Sequence, residues 1–487
     1  MLKLHNTLTR RLDEFTPITS DTVTLYTCGP TVYDELHVGN WAAYIYWDTL
    51  VRTLQMNNYR VQRVMNITDV GHLVSDADDG EDKLEKGARR EGKTAWQIAQ
   101  HYTDRFLAGM QALNLLPPAH LVKATDYIPQ QLELVRTLRQ KGYTYQTTDG
   151  IYFDTSKFPS YADFAQLDLD AQRAGARVGV NTEKRQAWDF ALWKFTEPGK
   201  VRDMEWPTPD DLLDLPGEEP VMGFPGWHLE CSAIAMDLLG QTLDIHTGGI
   251  DHIPVHHTNE IAQSEAATGQ QFAHYWLHCN HLKIDGGKIS KSLGNGYTLD
   301  DLAERGFSPM DLRMTILQGH YSTEGNFSFD NVASAHNRLQ HWRDIACLRH
   351  QIHDRLHDDT VRNDQPRHLS PQATIGALCQ ALNDDLNTPK ALSIIDEAFS
   401  ELSQQSLETI YRAGLVELLE TIDDTLGLQL IASTPDVDDE VKQLIIERRR
   451  AREAKDWSRS DKLRDQLAQL GIAVRDTSTD TIWTRLP

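Results

Sequence analysis

The chain has 487 residues, a formal net charge of -23, 40% hydrophobic residues and 24% charged residues, which describes a globular protein too long for one core. No apolar run reaches bilayer-spanning length and residues 1–7 hold no apolar leader, so no membrane partner and a cytoplasmic location are expected. Five scattered cysteines (Cys28, Cys231, Cys279, Cys347, Cys379) exclude a disulfide framework and a self-contained zinc finger.

In chain order, residues 22–28 (TVTLYTC) alternate and are β-branched, which predicts a strand that Gly29-Pro30 ends. A helical period runs from 41 to 56, and 59–67 reads as a second strand, giving a βαβ unit with parallel strands. Residues 115–225 read as an insertion, rich in Pro, Gly and Asp near its end. The pattern then resumes with a short strand at 243–246 closed by Gly248-Gly249, a helix at 254–268 and an apolar stretch at 275–284. An α/β nucleotide-binding-type fold with a parallel sheet, split by an insertion, is the expectation. Beyond residue 330 helical patterns dominate and no strand is predicted. A linker holding Pro435, Asp436, Asp438 and Asp439 precedes a basic helix with Arg448, Arg449, Arg450 and Arg452. Such a local basic face binds RNA irrespective of the acidic total.

Two segments carry phosphate chemistry. His37-Val38-Gly39-Asn40 leaves the first strand and enters a helix. Gly39 admits a ligand against the backbone, helix-start amides face anions, and His37 donates to a phosphate as charge builds. By itself the tetrapeptide reads as readily as a glycine turn with a capping Asn. Lys288-Ile289-Ser290-Lys291-Ser292, flanked by Gly286, Gly287 and Gly294, offers two lysines on a loop able to close over a triphosphate. Read blandly, it is a solvated basic turn. Both occur in order on opposite halves of one split sheet, which favours the nucleotide reading.

These segments resemble the HIGH and KMSKS signatures of class I aminoacyl-tRNA synthetases, whose catalytic domain is Rossmann-type. Pro30-Thr31-Val32-Tyr33-Asp34 and Asn66-Ile67-Thr68-Asp69 are similar to the cysteine-specific family. Ile289 replaces Met, and Asn40 stands where the signature has a second His. The resemblance implies ATP-dependent activation of L-cysteine, with Mg²⁺ accompanying ATP, and transfer to the 3′ end of tRNA(Cys). It assigns His37, Asn40, Lys288 and Lys291 to catalysis, and Gly39, His37, Ser290 and Lys291 to ATP. It implies residues 1–114 and 226–300 as catalytic halves around a connective insertion at 115–225. A helical stem-contact region at 301–365, a helical bundle at 366–432 and an anticodon-binding end at 433–487 would follow.

Cys28, Cys231, His256 and Glu260 form a donor set acceptable to Zn²⁺. His256 and Glu260 are four apart on one helical face, and Cys28 ends the first strand, where open α/β sheets bind ligands. On the residues alone, Cys28 reads as a small core side chain and His256 with Glu260 as a surface pair; His257 is also in reach. The resemblance implies the four as ligands of one catalytic zinc, His256 rather than His257. It also implies Thr68 and Trp227 as pocket walls and Asp251 as acceptor of the α-ammonium. A zinc-bound thiolate separates cysteine from serine better than pocket shape, which supplies only about 1–3 kcal/mol. The Asn383–Leu392 stretch and residues 445–483 are similar to the family's bundle and anticodon end, which would place Arg448, Arg449, Arg452, Trp457 and Trp483 against RNA. A monomer is expected. A cysteine ligase of thiol-cofactor synthesis would lack the anticodon end, and a non-catalytic RNA-binding paralogue would not need the two signatures or the donor set.

Overall fold

The computed structural model describes residues 1–71, 83–167, 183–289, 294–351, 371–477 and 481–486, the side chains of Lys83 and Glu408 excepted. The alternating run at the start of the first strand folds as β1 (Thr22–Thr27), buried at all but one position. Around it come α1 (Val38–Met56), β2 (Arg60–Ile67), β3 (His120–Lys123), α2 (Trp227–Leu239), β4 (Leu243–Gly249), α3 (Thr258–Thr268) and β5 (Ala273–Cys279). The strands make a five-stranded sheet in the order β5-β4-β1-β2-β3, parallel throughout. Opposite partners include Tyr26 with Val64 on one side and with His246 on the other. The chain builds outward from β1 through β2 and β3, then returns to build the other way through β4 and β5. The crevice beyond the carboxyl ends of β1 and β4 is therefore the topological switch point, where such sheets bind ligands.

Three sequence expectations need adjustment. Edge strand β3 lies within the stretch read as insertion, so the central sheet continues past residue 114. The helix expected over 254–268 opens with a π turn, Ile253–His257, before α3; a 3.6-residue period does not anticipate it. The apolar stretch at 275–284 divides into β5 and a short strand, Leu282–Ile284. An N-terminal hairpin, Lys3–Asn6 with Arg11–Glu14, was not expected.

The inserted stretch forms an antiparallel sheet ordered Thr144–Thr147, Gly150–Phe153, Phe190–Phe195, Met222–Pro225, Trp206–Pro207. Its Phe153, Phe190 and Trp193 pack with Leu229 and Ala233 of α2 and Ala262 and Ala266 of α3 in one buried cluster. Each buried aromatic of this kind contributes on the order of 2–3 kcal/mol. The insertion thus shares its core with the helices that carry the site.

Contacts divide the chain into two units, the first holding Met1–Lys283, Gly287–Leu299 and Tyr321–Gly325. The second is mostly helical, with α4 (Phe329–Cys347), α5 (Pro371–Asn383), α6 (Thr388–Ser403), α7 (Arg412–Leu426), α8 (Asp439–Glu453) and α9 (Trp457–Gln469). Asn387 caps α6 by accepting from the Lys390 amide, with Pro389 in the first turn. The unit ends in a hairpin, β6 (Ile472–Asp476) with β7 (Thr481–Arg485), where no strand had been predicted. Among the described residues no helix is long and apolar enough to cross a membrane.

Candidate functional site

His37 caps α1. Its Nδ1 accepts from the amides of Gly39 (3.1 Å) and Asn40 (3.3 Å), and Asn40 Oδ1 accepts in return from the His37 amide at 3.1 Å. This reciprocal capping box fixes the helix start. It also fixes the tautomer: Nδ1 is an acceptor, so the ring proton sits on Nε2. The expectation that free helix-start amides would hold phosphate is corrected here. The Gly39 and Asn40 amides are engaged by His37, and the Val38 amide donates to Tyr297 O at 2.8 Å. Asn40 answers for itself as the partner that closes the box.

The two signature segments meet. A Cβ on Gly39 would lie 2.6 Å from Ile289 Cδ1, and one on Gly296 would lie 3.9 Å from His37 Cβ and from Ile289 Cγ2. Asn295 Nδ2 donates to the Lys288 carbonyl at 3.1 Å, and the Lys288 side chain is exposed. Ser290 and Lys291 lie outside the described residues.

At the switch point, four segments converge. Cys28 follows β1, Cys231 lies in α2, His256 in the π turn and Glu260 in the first turn of α3. One donor atom from each lies within 4.8 Å of all the others. Cys28, His246, His257 and Glu260 satisfy the same condition, because the π turn swings both adjacent histidines inward. The contacts around the two sets are these. His256 has His228 Nδ1 at 2.9 Å from its Nδ1, and its Nε2 points at Glu260 Oε1, 2.7 Å away. Among the described residues Glu260 Oε1 is buried with no hydrogen-bond partner despite that approach, so two donors aim at one point. Glu260 Oε2, by contrast, is bound by His246 Nε2 at 2.6 Å. His257 places Nε2 3.5 Å from Cys28 Sγ and is braced by His278, whose other nitrogen meets Thr7 Oγ1 at 2.7 Å. A ligating histidine held through its second nitrogen, and a ligating carboxylate held through its second oxygen, are what metal sites use. Cys28, Cys231, His256 and Glu260 fit the donor chemistry of Zn²⁺, with His257 held in the same manner beside them and His228 and His246 around them.

Space and charge agree. A Cβ on Gly248 would fall 2.6 Å from His257 Cε1 and 2.7 Å from His252 Nδ1, so only glycine lets the histidines crowd the end of β4. Burial raises the Cys28 thiol, but Cys231, His252, His256 and His257 outweigh it and hold Cys28 well below the usual range. Cys231 is pushed well above it by burial and by Cys28. Burial also opposes ionisation of Glu260, yet His246 and His256 hold it at about 2. The reciprocal effect of Glu260 lifts His256 to about 10 against its burial. The histidines thus bias Cys28 and Glu260 toward their anionic forms, and Glu260 in turn biases His256 toward its protonated form.

Of the other pocket residues, Trp227 opens α2 half-buried, with its ring 4.6 Å from that of His256. Thr68 is buried, and its hydroxyl donates to Glu230 and accepts from Asn66 Nδ2 at 2.8 Å, so its polar group is committed to the scaffold. Asp251 is exposed in a 3₁₀ turn after β4. Glu230, His278 and Thr7 were missed by sequence reasoning. Only the neighbouring position of Glu230 to Cys231 could have flagged one of them.

In the second unit the basic helix α8 divides. Arg448 is buried, and both its terminal nitrogens bond the Asp476 carboxylate at 2.7 Å. Trp483 is 4% exposed in a cluster with Cys347, Val437, Val441, Leu467 and Ile472. Both expected RNA contacts are corrected: these residues hold the hairpin to the helices. Arg449 and Arg452 are about half open to solvent at their side chains, Trp457 is 55% exposed, and Arg452 lies over the Trp457 ring at 5.6 Å.

Comparison with known proteins gives a consistent result. The family described as the tRNA synthetases class I (C) catalytic domain matches residues 14–337, and the cysteinyl-tRNA ligase anticodon binding domain matches residues 434–483. The cysteine–tRNA ligase 1 of Burkholderia lata is 42% identical, covering 98% of this chain and 95% of that one. The cysteine–tRNA ligase of Treponema denticola is 38% identical over 100% of both. Among solved structures, the methionyl-tRNA synthetase of Mycobacterium tuberculosis in complex with methionyl-adenylate superimposes with a TM-score of 0.57 at 15% identity, covering 84% of this chain and 91% of that one. An Agrobacterium radiobacter LeuRS in a ternary complex with tRNA gives 0.60 at 13%, covering 86% of each. At such identities these last two bear on the fold alone.

Proposed function

We propose that this chain, which belongs to the class I cysteine–tRNA ligase family, activates L-cysteine with ATP and transfers it to tRNA(Cys), selecting the thiol at a zinc site. The convergence of Cys28, Cys231, His256 and Glu260 at the switch point is the observation that carries the metal reading. When bound, Zn²⁺ supplies a Lewis-acid centre that takes sulfur as thiolate, a form serine's hydroxyl does not reach at neutral pH.

The chain's own residues do the rest. Trp227 borders the ligand cluster and walls the amino-acid pocket, with Thr68 behind it, while exposed Asp251 receives the α-ammonium. The substrate carboxylate attacks the α-phosphorus of Mg²⁺-bound ATP, forming cysteinyl-adenylate and releasing pyrophosphate. His37, held by its capping box with the proton on Nε2, donates to phosphate oxygen as charge accumulates. Asn40 fixes that geometry, Gly39 gives the phosphates close approach, Lys288 and Lys291 neutralise them, and Ser290 donates a hydrogen bond. A terminal ribose hydroxyl of the tRNA then attacks the activated carbonyl, displacing AMP and leaving cysteine esterified to the tRNA. Positioning and charge stabilisation carry both steps, without a strong base. Arg449, Arg452 and Trp457 meet the RNA, the cations at phosphate and the indole on an unpaired base.

Cysteine-dependent ATP–pyrophosphate exchange, with serine as competitor, tests this reading. Exchange with cysteine, little with serine, and loss of bound zinc and of exchange in Cys231→Ala are expected, followed by charging of tRNA(Cys). A folded, zinc-loaded protein that supports no exchange would overturn it.

A further inference from the structure

Tyr26 and Cys28 are two apart along the extended chain, so they share a face. Tyr26 also lies directly opposite His246 in the parallel β1–β4 register, with the rings 5.2 Å apart. His246 holds Glu260 through its carboxylate. Tyr26 is wholly buried in the cluster that contains Cys231 and, at its edge, Cys28. Its hydroxyl is buried yet lacks a hydrogen-bond partner among the described residues. A strand interior with Phe at this position would pack equally well without that cost.

We propose that the Tyr26 hydroxyl donates a hydrogen bond to the Cys231 sulfur when that residue is a metal-bound thiolate, making Tyr26 a positioning residue of the metal site. This rests on the zinc reading above. A thiolate is a far stronger hydrogen-bond acceptor than a thiol. Two adjacent strands thereby brace the two ends of the ligand set: His246 from β4 steadies Glu260, and Tyr26 from β1 steadies Cys231. Residues surrounding metal ligands in this way commonly change metal affinity 10- to 100-fold when removed.

The test is Tyr26→Phe, read without catalysis. Zinc affinity is measured by chelator competition, the cobalt-substituted protein by its thiolate-to-metal charge-transfer absorption, and the metal-free protein by its Tm. The expected result is roughly tenfold weaker zinc binding, a shifted charge-transfer band, and a metal-free Tm no lower than that of the unaltered protein. In a Cys231→Ala background the substitution should no longer change affinity. Unchanged affinity and band would overturn the proposal, as would a fall in metal-free Tm, which would mean the hydroxyl already has a structural partner. Failure of the unaltered protein to bind zinc or cobalt would instead remove the zinc reading, and this proposal with it.

Discussion

Gly39, at the start of α1, lies against Ile289 of the loop that carries Lys288: a methyl group on Gly39 would stand 2.6 Å from Ile289 Cδ1. The nearest obstructing atom is the far end of a flexible side chain, followed by His37 Cε1 and Nδ1 at 3.1 Å. Gly39→Ala should therefore displace the loop and leave the fold intact. A Tm close to that of the unaltered protein is expected, with KM for ATP raised about 10- to 100-fold. Ile289→Val in the same chain deletes the opposing methyl and should bring KM most of the way back. A KM unaffected by Gly39→Ala in pyrophosphate exchange would show that this contact does not set the loop's working position.

The two nitrogens of His37 have separable tasks. His37→Asn keeps an N-cap side chain of good quality but removes the Nε2 donor, so kcat for exchange should fall about 10²- to 10³-fold with stability nearly unchanged. His37→Ala should show the same loss of kcat and, in addition, about 1 kcal/mol lower stability from the lost cap. Equal stabilities for the two variants in denaturant titrations would contradict the capping assignment.

Arg448 and Trp457 should respond in opposite ways. Arg448→Ala leaves Asp476 without its bidentate partner and should cost about 3 kcal/mol of stability. Trp457→Ala removes an exposed ring and should leave Tm alone while raising KM for tRNA five- to hundred-fold, roughly 1–3 kcal/mol. Pyrophosphate exchange without tRNA should be normal in Trp457→Ala. A drop in exchange would place its effect outside RNA binding.

Acid should unlock the C-terminal hairpin. Hydrogen bonds from Arg448, against the opposing effect of burial, hold Asp476 at about 2. A depressed carboxylate contributes stability that is complete above its unfolded value of about 3.9 and lost as pH falls through the folded value. Unfolding free energy should therefore decline between about pH 4 and pH 2, and Asp476→Asn should flatten that part of the profile. Identical pH profiles for the two proteins would refute the assignment.

The parallel sheet was legible because β1 and β2 alternate, and the helix after His37 because its start is written locally in His37, Gly39 and Asn40. The four zinc-type donors were legible only through resemblance, since residues 28, 231, 256 and 260 share no local pattern that would join them. What brings them together is strand order. His278 and Thr7 join the site through β5 and the N-terminal hairpin, pairings no spacing announces. The π turn escaped for a related reason: a helix whose register slips by one residue still shows His256 and Glu260 on one face. Arg448 and Trp483 misled because a charged helix and a late tryptophan look alike whether they face RNA or a hairpin. Ile472, Val474 and Ile482 did alternate, but over strands too short to stand out against the neighbouring helices.

The pairing of β4 with β1 also sets a schedule. Cys28 leaves the ribosome early, while Cys231, His256 and Glu260 follow only after the whole inserted sheet has been made. Until β4 docks, β1 presents an unpaired edge, and Cys28 has none of its partners. The binding pocket is accordingly among the last features of the first unit to be completed during synthesis, and a metal captured before then would meet a single cysteine in place of a cage.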